Sequence, residues 1–263
     1  MQIGASNIQS IPLVNEIEML GNLELDFLEL YVGRSETTLD QVERERERIA
    51  DMLALKGLEV VGHVTNYPAQ EWNYRVDLLT GCLDLFAELG AKLATIHPRV
   101  EEIEVAPLQK KVDNMMALQE TLDVCLNRAE EHGMMLCFEN TSEPVEDLVR
   151  LFNNLPGLGL TLDVGHANLN TEENKSLAIL DSLGSRLRHV HCHDNRGGIG
   201  QTSDLHLPIG AGDIAFEPIF GKLRSVGYDD RMSLEILTDD RKMDLDFSRG
   251  IIQEMWKKSA PFD

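Results

Sequence analysis

Half of the chain's eight histidines lie in one segment, HVHCHDNRGGIGQTSDLHLPIGAGDI, which spans residues 189–214 and also contains three aspartates. Imidazole and carboxylate groups are the usual protein ligands of Zn²⁺ and Mn²⁺, and Mg²⁺ and Co²⁺ bind to overlapping sets. The chain has four cysteines but no CxxC pair, so neither a thiolate zinc site nor a disulfide framework is expected. The segment therefore predicts a site for a divalent metal ion.

Further ionisable residues occur within or just after short apolar runs elsewhere in the chain. A lone histidine at such a position is more often a hydrogen-bonded structural residue than a ligand. A carboxylate inside an apolar run is harder to explain, because burying it without a partner is costly. Glu139 in MLCFE and Glu235 in MSLEIL have this character, and a shared metal ion would satisfy both. The other ionisable residues that lie within or just after an apolar run are Glu29, His63, His97, Asp163 and His166.

The runs that position these residues alternate with amphipathic stretches. The predicted strands are short and mostly apolar, as buried parallel strands are. They are 2–6, 26–32, 58–63, 92–97, 135–139, 159–164, 187–193 and 232–237. The stretch 39–57 has Val42, Ile49, Leu53 and Leu55 on or near one helical face. Glycines before the next strand predict left-handed helix caps at Gly57, Gly90, Gly133 and Gly227.

Eight strands alternating with helices over 263 residues predict an α/β fold, the (β/α)8 TIM barrel. The sequence contains no internal repeat, linker or low-complexity stretch, so a single domain over residues 1–263 is expected. A doubly wound open sheet is the alternative, but no strong G-x-G-x-x-G motif follows the first predicted strand. In a barrel, the carboxyl ends of the strands meet at one face, where the chemistry is expected.

The formal net charge of −21 disfavours a nucleic-acid partner bound through a broad basic surface, since phosphate contacts need lysine and arginine. The N-terminus lacks the pattern of a signal peptide, and no apolar run approaches the roughly 18 residues that cross a bilayer. We expect a cytoplasmic protein without a membrane partner. A homo-oligomer is left open, because Trp72, Tyr74 and Trp256 fit either a subunit contact or the core.

Five motifs resemble those of the xylose isomerase-like TIM barrels, the superfamily of endonuclease IV (AP endonuclease family 2) and the sugar phosphate isomerase/epimerase proteins. They are IHP (96–98), FEN (138–140), LDVGHAN (162–168), HCHDN (191–195) and DLHLPIGAGDI (204–214). The resemblance covers essentially the whole chain. It departs at the N-terminal strand, where IGASNIQ replaces the G-A-H-V-S pattern of endonuclease IV.

The resemblance implies two ligand sets. Endonuclease IV holds three zinc ions with nine ligands, and its motifs fall here on His63, His97, Glu139, Asp163, His166, His191, Asp204, His206 and Glu235. The single-metal epimerases use a smaller set, which falls on Glu139, Asp163, His191 and Glu235. In those enzymes the two glutamates flank the substrate carbon, and one takes a proton that the other returns. One to three ions are therefore expected, with zinc or manganese favoured over magnesium or cobalt.

The favoured function is that of a metal-dependent isomerase or epimerase acting on a small carbohydrate: a sugar, a sugar phosphate or a related polyol. Glu139 and Glu235 would serve as general base and general acid while the metal polarises substrate oxygens. His193 and Arg196 would contact a substrate oxygen or phosphate, or else lie in a solvent-exposed loop. The string HDNRG…DLHLPIGAGDI most resembles this branch of the superfamily.

Two other functions stay open. A trinuclear phosphodiesterase that cuts DNA at abasic sites, or a hydrolase of small phosphoesters, is favoured by the nine-ligand set and disfavoured by the charge. Asn66 and Tyr67 could then probe a duplex. A non-catalytic metal-binding barrel is the third reading, and the presence of both Glu139 and Glu235 argues against it.

Overall fold

The computed structural model describes residues 1–33, 37–65, 76–97, 108–141 and 143–259. Within them, eight parallel strands close into a barrel in which each strand pairs with its neighbours in sequence. The strands are β1 (Gln2–Ser6), β2 (Phe27–Val32), β3 (Glu59–Thr65), β4 (Leu93–His97), β5 (Met135–Glu139), β6 (Gly159–Asp163), β7 (Leu187–Cys192) and β8 (Arg231–Leu234). The predicted TIM barrel is confirmed, and β1 closes it by pairing with β8.

Helices follow the strands, and their apolar faces share a continuous core with the outward side chains of the strands. In the described part of the chain they are α1 (Leu13–Asn22), α2 (Leu39–Arg44), α3 (Arg46–Lys56), α4 (Val76–Glu88), α5 (Leu108–Glu131), α6 (Val145–Asn154), α7 (Ser176–Leu183), α8 (Phe216–Ser225) and α9 (Arg241–Lys258). Among these described helices, none combines the length and the apolar character needed to span a bilayer.

The structure corrects the predicted helix over 39–57, which is divided at Glu45 into α2 and α3. Val42, Ile49 and Leu53 are buried as predicted, but Leu55 is 81% exposed. Leu55 follows Leu53 by two residues, so it lies on the opposite side of the helix. The four predicted glycine caps are confirmed, since each has a φ angle between 61° and 89°.

Several residues singled out by the sequence fall outside the described residues, namely Asn66, Tyr67, Trp72 and Tyr74. Trp256 lies in the core with 6% exposure, and the guanidinium of Arg224 sits 3.9 Å from the centre of its ring. The four cysteines are free and buried.

The barrel interior has an apolar floor and a polar upper layer. Because successive strand residues alternate in direction, every second side chain points inward. The floor is built from Phe27, Val61, Leu93 and Cys137. Two residues further along β2, β3 and β5, the inward positions carry Glu29, His63 and Glu139. The fold therefore collects the ionisable residues at the carboxyl ends of the strands.

Candidate metal centre

Seven of the eight histidines and five carboxylates gather at the carboxyl end of the barrel. The histidines are His63, His97, His166, His189, His191, His193 and His206. The carboxylates are Glu29, Glu139, Asp163, Asp204 and Glu235. The remaining histidine, His132, lies at the end of α5 and contacts Asp84 of α4 at 2.8 Å.

These side chains form overlapping groups in which one ligand atom per residue lies within 4.8 Å of all the others. The central group consists of Glu139, Asp163, His191 and Glu235, and all four residues are buried. The outer group consists of His166, His193, Asp204 and His206. The side group consists of His63, His97 and Glu139. The inner group consists of Glu29, His63, His191 and Glu235.

Many polar atoms of these groups are buried without a hydrogen-bond partner. They include both carboxylate oxygens of Glu139, Oδ2 of Asp163, Nδ1 of His191 and both ring nitrogens of His193. Each unsatisfied buried atom costs about 1–3 kcal/mol, and native proteins leave few of them. All are atoms that bind divalent metals. The residues therefore fit a metal ion in chemistry, burial and arrangement.

Four of the five carboxylates have a lowered pKa. Burial opposes the ionisation of Glu29, Glu139 and Asp163, but the neighbouring histidines outweigh it and hold the pKa of each carboxyl below its usual value. Burial likewise opposes the ionisation of Asp204, and the contacts with His166 and His206 lower its pKa in spite of this. The centre thus presents negative charge to whatever fills it.

The pKa is shifted upward in three of the imidazoles and downward in two others. Burial disfavours a charged ring, yet nearby carboxylates raise the pKa of His166 and His191 well above the usual value and that of His206 to about 9. Burial prevails at His97, whose pKa falls to about 3, and it also lowers the pKa of His189. In the metal-free protein, protonated imidazoles therefore supply the positive charge that a bound cation would supply.

The loop after β7 folds back so that Leu207 pairs with Asp194, and this brings Asp204 and His206 to the outer group. Asp194 and Leu207 form an antiparallel bridge, with N–H···O distances of 2.9 and 2.8 Å. The buried carboxylate of Asp194 accepts the backbone N–H groups of Gly210 and Gly212, both at 2.9 Å. These two amides are thereby engaged within the loop, so the glycines form a structural turn.

Two backbone features hold the outer group together. A Cβ on Gly165 would lie 2.1 Å from the ring of His193, so only glycine leaves room for that imidazole. His206 has a φ angle of 46°, an uncommon conformation for a residue with a side chain. Its Nδ1 donates to the carbonyl of Glu235 at 2.8 Å, which leaves Nε2 facing Oδ2 of Asp204 at 3.3 Å.

Asparagines extend the pairing between neighbouring strands above the ends of the sheet. Asn140 follows Glu139 directly, donates to the carbonyl of Asp163 at 2.9 Å and accepts its N–H at 3.0 Å. Asn7, after β1, accepts the N–H of Tyr31 at 2.7 Å. These contacts fix the ends of the strands from which the site residues project.

The predicted ligands all lie in these groups. The nine residues implied by the resemblance to endonuclease IV occupy the central, outer and side groups, and the four-residue set of the epimerases is the central group. His193, predicted to contact substrate, lies among the ligand-type residues of the outer group, and its contact with substrate stays a prediction. Arg196 is exposed. The ligand roles of these residues stay predictions.

Besides His193, Glu29 is the residue of these groups that the predicted ligand sets leave out. It stands in an apolar strand, as Glu139 does, and that pattern was the available signal. Its side chain is fully buried beside His189 and His191.

Comparison with known proteins places this geometry in a family. The sequence matches the family model described as the xylose isomerase-like TIM barrel over residues 17–258. An uncharacterised protein of Methanocaldococcus jannaschii is 29% identical over 171 residues, which span 61% of this chain and only 56% of that protein. A D-tagatose 3-epimerase-like protein has a TM-score of 0.78 at 23% identity, with 98% of each chain covered. An L-ribulose 3-epimerase has a TM-score of 0.74 at 18% identity, with 98% of this chain and 95% of that chain covered. The chain belongs to the xylose isomerase-like TIM barrel family.

Proposed function

We propose that the protein is a divalent-metal-dependent isomerase or epimerase that acts on a sugar, a sugar phosphate or a related polyol. The observation that carries this proposal is the central group, in which two glutamates, an aspartate and a histidine meet in a buried site. The similarity to structures named as a D-tagatose 3-epimerase-like protein and an L-ribulose 3-epimerase supports the same substrate class.

Glu139, Asp163, His191 and Glu235 would hold the ion, and their mixture of nitrogen and oxygen atoms suits zinc or manganese, with magnesium or cobalt as further candidates. When bound, the metal would polarise neighbouring carbonyl and hydroxyl oxygens of the substrate, which makes the C–H proton next to the carbonyl more acidic. The outer and side groups offer places for further ions, so one to three ions per chain are expected.

Glu139 and Glu235 would carry the proton. Each has an oxygen 3.4 Å from Nδ1 of His191, and they project from β5 and from the end of β8, three strands apart around the barrel. A substrate carbon between them could lose a proton to one carboxylate and receive a proton from the other on the opposite face. Such a transfer inverts the configuration at that carbon.

The burial of both glutamates suits this role. Glu139 is fully buried and Glu235 is 6% exposed, so water has little access to either carboxylate. A base shielded from water keeps the substrate proton during a single turnover and exchanges it with solvent between turnovers. In D₂O, the carboxylate that returns a proton to the substrate would therefore return a deuteron. Asn140 holds the backbone beside Glu139 through its two hydrogen bonds to Asp163 and so fixes the direction of the base.

The test is solvent deuterium exchange. Metal-loaded protein is incubated in D₂O with a panel of ketopentoses, ketohexoses and their phosphates, and products are analysed by mass spectrometry and proton NMR. We expect an epimer or isomer carrying one deuterium at the carbon next to the carbonyl. Glu139→Gln and Glu235→Gln should each abolish the exchange at saturating metal.

Glu16→Gln serves as the matched control, because Glu16 is also buried but belongs to α1 and pairs with Arg241 of α9 at 2.6 Å. This control should keep the exchange. Unchanged exchange in both active-site variants would contradict the assignment of the proton-transfer residues, and an absence of exchange across the panel would count against the reaction class.

A second candidate function is hydrolysis of a phosphodiester, at abasic sites in DNA or in a smaller phosphoester. The observation that favours it is that the central, outer and side groups lie next to one another, since clustered metals stabilise both the attacking and the leaving oxygen. The net charge of −21 counts against a DNA substrate. Zinc-loaded protein that cleaves an abasic-site duplex and exchanges no deuterium into the sugars would favour this alternative.

A further inference from the structure

Glu29 belongs to the inner group but to neither of the ligand sets that the resemblance implies. It projects inward from β2, between Phe27 on the apolar floor and Tyr31 at the end of the strand. Its side chain has no exposure to solvent. A carboxylate in such a place needs hydrogen-bond donors on both oxygens, because burial without them is strongly unfavourable.

Histidine nitrogens from two strands face this carboxylate. Oε1 accepts a hydrogen bond from Nε2 of His191 at 2.8 Å, and Oε2 accepts one from Nε2 of His189 at 3.1 Å, both in β7. Nδ1 of His63, in β3, lies 3.1 Å from Oε1. One oxygen of Glu29 therefore faces two of the predicted metal-ligand histidines.

The consequence for His191 follows from the two nitrogens of its ring. Only a protonated nitrogen can donate to a carboxylate, so the contact with Glu29 places a proton on Nε2. The other nitrogen, Nδ1, faces the central group, at 3.4 Å from Glu139, 3.4 Å from Glu235 and 3.7 Å from Asp163. It is buried and has no hydrogen-bond partner.

His63 has a similar arrangement with its nitrogens exchanged. Its Nδ1 lies 3.1 Å from Oε1 of Glu29 and 3.5 Å from Oε1 of Glu235, and its Nε2 faces Glu139 of the side group at 3.5 Å. Glu29 thus touches one histidine of the central group and one of the side group, each on the nitrogen turned away from Glu139.

We propose that Glu29 is a positioning residue shared by the central and side groups, which fixes the ring orientation of His191 and His63 so that Nδ1 of the first and Nε2 of the second bind metal. The carboxylate also raises the basicity of both rings, as outer carboxylates do for metal-bound histidines. His189 holds the second oxygen and packs edge-on against Phe27, with ring centres 5.9 Å apart, so the carboxylate is anchored to the floor of the barrel.

This inference rests on the proposed metal centre but not on the proposed reaction, so its test reads metal binding and ring protonation and does not use a substrate. Zinc affinity is measured by competition with a chromophoric chelator for the wild type, Glu29→Gln and Glu16→Gln. Removal of an outer partner of a ligand histidine typically weakens metal binding by 10–100-fold, and we expect about that loss for Glu29→Gln. Glu16→Gln, which alters a buried glutamate outside the four groups, should bind zinc within about twofold of the wild type.

The second readout is the protonation of His191 in the zinc-loaded wild type, from long-range ¹H–¹⁵N NMR. We expect the proton on Nε2 and zinc on Nδ1. Because this measurement needs no variant, it tests the positioning role of Glu29 even if Glu29→Gln fails to fold. Zinc on Nε2 of His191, or an unchanged affinity in a folded Glu29→Gln, would overturn the role. A wild type that binds no zinc would overturn the metal centre and this role with it, whereas zinc binding without sugar turnover would leave this role intact.

Discussion

Filling the centre with metal should expel protons from the protein. A histidine must be neutral to bind a metal ion, so each imidazole that is protonated in the metal-free state loses a proton on binding. The raised pKa values of His166 and His191, and the pKa of about 9 at His206, keep these three rings protonated at pH 7. His97, whose pKa falls to about 3, is already neutral there.

The number of protons follows from the membership of each group. Filling the central group neutralises His191 and should release about one proton, and filling the outer group neutralises His166 and His206 and should release about two. The side group has His97 in its neutral form and should release fewer. Full loading at pH 7 is therefore expected to release about three protons per chain, and the number should fall as the pH is raised through about 9.

Isothermal titration calorimetry measures this release directly. Zinc is added to metal-free protein at pH 7 in three buffers with different ionisation enthalpies, and the slope of the observed enthalpy against buffer enthalpy gives the protons released. His206→Gln should lower the total by about one, since it removes one protonated ring from the outer group. A slope near zero at pH 7 would refute the reasoning, because the histidines would then be neutral before metal arrives.

Three further predictions concern stability and the outer group. Because the pKa of His206 is raised in the folded state, its contribution to stability is fully present below pH 6.5 and is lost as the pH rises through about 9. The urea midpoint of the metal-free protein should therefore fall between pH 6.5 and 9.5. A midpoint that does not change with pH would count against the raised pKa of His206. Asp194→Asn removes the charge of the carboxylate that accepts hydrogen bonds from the loop amides, and it should lower the free energy of unfolding by about 2 kcal/mol or more. An unchanged thermal midpoint would contradict the dependence of the loop on this carboxylate. Gly165→Ala should displace His193 and lower the zinc content or affinity of the outer group, while Gly221→Ala, whose added methyl meets open space, should leave zinc binding unchanged.

The fold was predictable from the sequence because the strands are short apolar runs bounded by recognisable helix caps. Gly57, for instance, takes the left-handed conformation that its place before β3 indicated. Leu55 departs from the prediction because its apolar character does not place it on the buried face, and its position two residues after Leu53 turns it toward solvent. The break at Glu45 between α2 and α3 could not be predicted, because no glycine or proline lies there in the sequence.

The members of the candidate site could be predicted where a residue of a metal-ligand type ends a strand. They were harder to predict where contacts between distant strands decide the role of the residue. Glu139 and Glu235 stand out because a carboxylate in an apolar run has few explanations. The role of His193 depends on the space left by Gly165 and on the return of the loop to Leu207, which residue types alone do not reveal. Glu29 depends in the same way on β7, 160 residues further along the chain.

Metal content tests the central claim, that this cluster is a metal centre, most directly. Wild type and Glu139→Gln are purified without chelator and analysed by plasma mass spectrometry, with Glu16→Gln as the control. Glu139 belongs to both the central and the side group, so its loss should affect both. The account predicts one to three divalent ions per chain in the wild type and the control, with a clear reduction in Glu139→Gln. Wild-type protein that holds no metal, and takes up none from added zinc or manganese, would contradict it.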